Sequence, residues 1–207
     1  EIDIPGFIGA LARKDIEESY RILKSANALP AVCGRVCPQE VQCEATCVIG
    51  NKLEPVAVGR LERFVADFAV GRGWDKPPHF KKTGKKAAVV GSGPAGLACA
   101  GDLIKAGVEV TVFEALHVAG GVLKYGIPEF RLPNDTIDIE IEGLARLGVK
   151  FELDCIIGKL FTIPQLMQEK GFDTVFVATG AGSPKFMGIP GEAYNGVVSA
   201  NEILTRI

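Results

Sequence analysis

Apolar positions along this chain follow two different periods. Through the first 80 residues they recur every three to four positions. "DIEESYRILKSAN" sets Ile16, Tyr20, Leu23 and Ala26 near one face, and "VGRLERFVADFAVGRG" sets Leu61, Phe64, Val65 and Phe68 on one stripe. That spacing predicts helices. Asp15, with Glu18 three residues later, predicts a capping box at the start of one of them. After the mid-eighties the period shortens. "KAAVVG", "VEVTVFE", "VKFEL" and "FDTVFVATG" read as strands, the last running to Gly180. Between them, "PAGLACAGDLIKAG" reads as a helix closed by Gly107, and "TIPQLMQEKG" as a short helix boxed by Thr162 and Gln165. "PNDTIDIEIEGLARLG" carries both periods. Ile137, Ile139 and Ile141 alternate, while Ile137, Ile141, Leu144 and Gly148 fit one helix face. Its length and the Asn134/Asp135 start favour the helix.

Strands alternating with helices imply a parallel sheet with helices on its faces. The two periods meet at "WDKPPHFKKTGKK", which holds two prolines, a glycine and five lysines and reads as a linker near residues 75–84. The expected organisation is a helical unit over residues 1–78 and an α/β unit over residues 84–207.

The 207 residues are 47% apolar and 23% charged, a globular composition with room for one large or two small domains. A net charge of -2 argues against nucleic acid or an anionic membrane as partner. No apolar run reaches the roughly 18 residues of a membrane span, and a cytoplasmic location is expected. The chain opens inside a helical pattern without an initiator Met, so an upstream part is expected.

Within the α/β unit, "GSGPAGLA" supplies Gly91, Gly93 and Gly96 in the G-x-G-x-x-G pattern, with Ser92, Pro94 and Ala95 between them. A strand precedes it, a helix follows it, and Glu114 ends the next strand 18 residues after Gly96, with Ala115 next to it. That context marks a dinucleotide loop. Gly91 permits the tight turn, Gly93 lets backbone approach a pyrophosphate at the helix N-terminus, and Gly96 lets helix and strand pack closely. Glu114 is the candidate acceptor for ribose hydroxyls. FAD and NAD both fit this loop. Two further stretches suit a bulky ligand at the carboxyl edge of the sheet: Gly120–Gly121, followed by Arg131 as a candidate cation, and Thr179–Gly180. No constellation of general acid and base is present.

Four of the six cysteines fall in the fifteen residues "CGRVCPQEVQCEATC". Such clustering favours metal over disulfides. Cys33/Cys37 and Cys43/Cys47 are i, i+4 pairs, which share a face if helical. An all-thiolate zinc site is open, whereas His79 and His117 read as loop residues. Iron–sulfur is preferred, because a redox nucleotide unit lies next door.

"LPAVCGRVCPQEVQCEATC", "VAVGRLERFVADFA", "GKKAAVVGSGPAGLACA", "GIPEFRLP" and "SANEILTRI" together resemble the small-subunit family of NADPH-dependent glutamate synthase. That family includes the NADPH-binding subunit of the ferredoxin-coupled transhydrogenase, sulfide dehydrogenase and the N-terminal half of dihydropyrimidine dehydrogenase. "GIPEFRLP" and "GAGSPKFMGIPGE" are more similar to the transhydrogenase and sulfide dehydrogenase type. The resemblance covers essentially the whole chain. It implies a helical domain with two 4Fe-4S clusters, followed by a Rossmann-like FAD-binding sheet. By that resemblance Cys37, Cys43 and Cys47 are cluster ligands, Glu62 is the further ligand on the following helix, and Cys33 is a packed thiol.

An upstream cysteine group and an NAD(P)H site are implied to lie outside this chain, which then reads as an internal part of a longer one. The implied activity is electron transfer between NAD(P)H, FAD and clusters to a larger subunit or to ferredoxin. Two other readings are an NAD-binding redox sensor with a structural zinc module, and a non-enzymatic electron-wiring fragment.

Overall fold

The computed structural model describes residues 2–74 and 81–206. His79 and most of the expected linker, residues 75–80, lie outside the described residues. The first part is helical: α1 (Ile4–Ala12), α2 (Ile16–Ala26), α3 (Pro30–Val36) and α4 (Val58–Ala69), with two single-turn 3₁₀ helices at Gln39–Val41 and Val48–Asn51 between α3 and α4. The second part alternates: β1 (Lys86–Val90), α5 (Pro94–Lys105), β2 (Glu109–Phe113), α6 (Val122–Tyr125), α7 (Asn134–Arg146), β3 (Lys150–Glu152), α8 (Ile163–Gln168), β4 (Thr174–Val177) and α9 (Ala200–Arg206). The four strands form one sheet in the order β3-β2-β1-β4, and every pairing is parallel. This is a mixed α/β fold with a Rossmann-like sheet, as the two periods imply. Among the described residues no helix is long and apolar enough to cross a membrane.

Local chemistry explains most helix starts. The Asp15 carboxylate accepts the Glu18 N–H at 3.1 Å, but the reciprocal half of the expected box is absent. The Glu18 side chain turns instead to Arg21. At α8 both halves of the box form: Gln165 N–H to Thr162 Oγ1 at 3.3 Å, and Thr162 N–H to Gln165 Oε1 at 3.0 Å. The ambiguous segment is a helix. Pro133 is its N-cap, and the Asn134 amide is satisfied by Glu129 Oε2 at 3.0 Å rather than by Asn134 or Asp135 side chains. A residue from the preceding turn reaches that amide, which a local capping rule does not anticipate.

The predicted α4 stripe is rotated. Gly59, Glu62, Val65, Ala66 and Ala69 are buried, while Phe64 is 48% exposed and lies tilted against Phe68. The cause is how closely α3 and α4 approach. A Cβ on Gly34 would lie 2.7 Å from the Arg63 nitrogen, so this contact selects small residues.

Among the described residues, three clusters of buried side chains stand out. Phe7, Tyr20, Leu23, Val65 and Ala69 knit the helical part together. Ala88, Val90, Phe113, Cys155 and Leu166 pack beneath one face of the sheet. The largest core lies on the other face and is shared: Ala28, Leu29 and Val32 join Val89, Leu97, Val112, Ile137 and Leu144. The α2–α3 corner is therefore part of the sheet's own core. A Cβ on Gly101 would lie 2.8 Å from that of Ala28, so α5 and this corner are in contact.

Candidate functional site

Three turns meet at the carboxyl edge of the sheet. Gly91 follows β1 with φ +105, and a Cβ there would lie 2.3 Å from the Ala178 carbonyl and 3.4 Å from the Thr179 Cα. The β1 and β4 exits thus touch, and Thr179–Gly180 abuts the glycine loop. Gly121 has φ +53, and a Cβ there would lie 2.8 Å from the Gly93 Cα. The Gly120–Gly121 turn is therefore also seated on the loop. A Cβ on Gly96 would lie 2.0 Å from the Gly91 carbonyl, which brings α5 hard against the end of β1.

Gly93 differs from its neighbours. It is the N-cap of α5 with no side-chain cap, and a Cβ on it would meet nothing within 4 Å. Among the described hydrogen bonds, none is donated by the amides of Gly93, Ala95 or Gly96. Pro94 brings no amide of its own. A twelve-residue helix thus presents unpaired N–H groups and its positive end to open space, an arrangement suited to a pyrophosphate.

Glu114 and Ser92 lock this edge from below. Both are buried, at 6% and 0% exposure. Glu114 Oε2 accepts the Ser92 N–H at 2.9 Å and the Ser92 hydroxyl at 2.5 Å, and Oε1 accepts the Leu116 N–H at 2.9 Å. Ser92 Oγ in turn accepts the Gly120 N–H at 2.9 Å. One carboxylate and one hydroxyl so tie together the β1 loop, the β2 exit and the Gly-Gly turn. A carboxylate offers about four acceptor positions. Three are used internally, and one on Oε1 stays open. Ala115, Thr179 and Gly180 are exposed. Arg131 is exposed in the turn after α6, and its guanidinium makes no described ion pair or hydrogen bond. The sequence motif includes Ser92 but not its clamping role, because nothing local says that two loops converge on it.

The thiols are arranged differently. All six cysteines are free. Cys33 is on α3 and Cys37 is its C-cap, whereas Cys43 sits in a turn and Cys47 is the extended N-cap of the second 3₁₀ helix, so the second i, i+4 pair is not on one helix. Burial pushes the Cys33 and Cys37 thiols up. Backbone N–H groups of Val56, Gly50 and Ile49 hold the Cys47 thiol below its ordinary value. Glu62 on α4 is buried, and burial pushes its carboxyl up. Its one described partner is the Asn27 amide, which donates to Oε1 at 2.8 Å.

Half-buried thiols, one of them supported as a thiolate by backbone donors, together with a nearly unpartnered carboxylate, fit a soft metal centre. Among the described residues no three His, Cys, Asp or Glu side chains are close enough to hold one ion. His117 is exposed and pairs with Tyr125, Nδ1 to hydroxyl at 3.3 Å.

Fold and glycine loop together define a Rossmann-like α/β domain. Residues 85–205 match the family model described as pyridine nucleotide-disulphide oxidoreductase, and the chain belongs to that family. Residues 1–74 match a second model, described as dihydropyrimidine dehydrogenase domain II, 4Fe-4S cluster. The β subunit of NADP(+)-dependent formate dehydrogenase from Moorella thermoacetica is 39% identical, aligned over 98% of this chain and 32% of its own length. The glutamate synthase [NADPH] small chain of Halomonas elongata is 38% identical over 97% of this chain and 42% of its own. FprA from Mycobacterium tuberculosis, solved in complex with NADPH, shares the fold at a TM-score of 0.52 and 24% identity, over 58% of this chain and 28% of that one. The chain spans less than half the length of these relatives. The small-subunit resemblance read from the motifs agrees with these matches, and they do not favour the zinc-module alternative.

Proposed function

We propose that the protein containing this chain is an NAD(P)H-dependent oxidoreductase of the glutamate synthase small-subunit type, with FAD at the Gly91 edge and 4Fe-4S clusters at the cysteine segment. One observation carries the reading: an uncapped helix N-terminus ringed by three turns shares a core with the thiol-bearing corner. FAD, when bound, accepts a hydride and releases single electrons, and the clusters relay them.

The chain's own residues do the holding. Amides of Gly93, Ala95 and Gly96 bind the pyrophosphate, and Glu114 Oε1 accepts a ribose hydroxyl. Ser92 keeps the Gly120–Gly121 turn closed on the loop, and Thr179–Gly180 closes the far side. Arg131 supplies positive charge toward the flavin ring. Cys37, Cys43, Cys47 and Glu62 ligate iron, while Cys33 packs without ligating. Residues 1–78 form the iron–sulfur unit and residues 84–207 the FAD unit. The nicotinamide site lies outside these residues. In support, among the described residues one glycine loop sits between a strand and a helix, and no helix follows Gly182 before Ala200. Electrons leave to a larger subunit or to ferredoxin, in the cytoplasm.

Heat release of the cofactor followed by chromatography, with iron and sulfide counts, tests the reading. FAD with acid-labile sulfide is expected, and recovery of NAD, or of zinc without sulfide, overturns it.

A further inference from the structure

We propose that Glu140, on α7 of the nucleotide unit, is a positioning residue that fixes the cluster-ligand corner relative to the flavin edge. The proposal rests on the flavin and iron–sulfur reading above. Glu140 is 5% exposed although it is charged. Its Oε1 accepts the Ala31 N–H at 2.9 Å, and its Oε2 pairs with Lys24 Nζ at 2.7 Å. Lys24 Nζ also donates to the Ala28 carbonyl at 2.9 Å. α3 has no side-chain cap of its own and opens on Pro30, which has no N–H, so a carboxylate 109 residues away satisfies its first amide donor, on Ala31. A buried charge is costly unless it is paired and hydrogen-bonded, and both conditions are met here across the two units.

The contacts on either side of Glu140 run to both candidate sites. One turn earlier on α7, the Ile137 Cγ2 lies 3.4 Å from where a Cβ on Gly120 would stand, and the Gly120 amide is held by Ser92. On the other side, the 27–34 stretch that Glu140 grips touches Glu62 and runs into Cys37. Asn27 Oδ1 accepts the Leu29 N–H at 2.9 Å while its amide donates to Glu62 at 2.8 Å. Gly34 touches the backbone of Arg63, the neighbour of Glu62, and Cys37 ends the same helix. From Ser92 through Gly120, Ile137 and Glu140 to Ala31, and along α3 to Gly34 against Arg63, the chain next to Glu62 is reached by a succession of packed or hydrogen-bonded groups. A shift of the flavin-side turn is transmitted to the position of Glu62 and Cys37 through a rigid helix and one buried carboxylate.

The test uses the complete natural protein carrying both cofactors, with Glu140→Gln and Glu140→Met. The Gln side chain can still accept the Ala31 N–H, whereas Met cannot. With flavin and iron contents equal to the parent, Glu140→Met is expected to slow cluster reduction by the flavin about tenfold and to alter the paramagnetic resonance of one reduced cluster, with Glu140→Gln much closer to the parent. Unchanged transfer and resonance in Glu140→Met overturn the proposal. Should Glu140→Met lose iron, hydrogen exchange on the unmodified protein decides. Amides of residues 31–37 are expected to lose protection when flavin alone is stripped, and unchanged protection overturns the link. A parent protein with neither flavin nor iron would instead remove the function proposed above, so the two failures are distinguishable.

Discussion

The glycine edge and the cysteine segment, the two proposed cofactor sites, are built by opposite means. The edge is built from regular elements. β1 is buried from Ala87 to Val90, α5 starts at a fixed place, and three turns are locked by interatomic distances that leave no room for a Cβ. Its geometry is over-determined by backbone packing and by the Glu114–Ser92 clamp. The cysteine segment is made of short turns between α3 and α4. Around it Val41, Val48 and Leu53 are 75%, 80% and 74% exposed, so no apolar core fixes it. Its side chains carry the donor chemistry, and its backbone is anchored mainly at the two ends, by Glu140 at α3 and by the Gly34–Arg63 contact at α4. A pyrophosphate is bound by backbone that must already be in place. A metal cluster brings its own bonds, and its ligands need only be delivered near it.

The sharpest way to break this contrast is at Gly91. Gly91→Val forces a β-branched residue into φ +105 and against the Ala178 carbonyl, and is expected to cost roughly 3 kcal/mol or more with complete loss of flavin. Thermal unfolding and flavin content check it, and a folded flavoprotein would show that the edge is not backbone-determined.

At the cysteine segment, single Ser replacements of Cys37, Cys43 or Cys47 are expected to remove most of the iron and leave flavin bound. Cys33→Ser should keep both. Equal iron loss at Cys33 would make it a ligand.

Ser92→Ala is expected to be milder than Gly91→Val. It strips a hydroxyl from Glu114 and an acceptor from the Gly120 amide, each left buried at about 1–3 kcal/mol. Flavin affinity should fall about tenfold, a loss of about 1.4 kcal/mol by the usual conversion. Unchanged affinity would show that the Gly-Gly turn holds itself.

In iron-free protein the thiols should differ in reactivity. Burial raises the Cys33 thiol, and backbone N–H bonds lower that of Cys47. At a pH between the two, Cys47 is ionised and Cys33 is not, so iodoacetamide should label Cys47 first. As pH rises through the Cys33 value the gap should close. Mass spectrometry after brief labelling reads the order.

The smallest effect tests the α4 rotation. Phe64→Ala should cost under about 1 kcal/mol, because the ring is half exposed, and Val65→Ala about 1–2 kcal/mol, because that side chain is fully buried. The reverse order would restore the stripe drawn from periodicity alone.

Much of the fold was legible because its signals are local. The β1–α5–β2 unit announces itself through period, glycines and Glu114, all within about thirty residues of chain. The Thr162/Gln165 box forms as its spacing predicts, since both partners lie in one turn. What failed locally failed for tertiary reasons. Glu129 reached the amide expected for Asn134 or Asp135, Arg21 drew Glu18 out of its box, and close packing on α3 turned Phe64 outward. Glu140 does carry a local signal: a carboxylate between Ile137 and Leu144 on the inward face of α7 is a buried charge in need of a partner.

The sequence by itself determined the elements, the parallel sheet, the dinucleotide loop and the thiol-rich segment, because each depends on residues close enough in the chain to be read together. Only the tertiary structure decided that the α2–α3 corner belongs to the sheet's core, that Ser92 and Glu114 clamp three turns, and that Glu140 joins the two units. Those facts depend on groups from 22 to 116 positions apart, paired because a buried polar group must find a partner wherever the fold brings one.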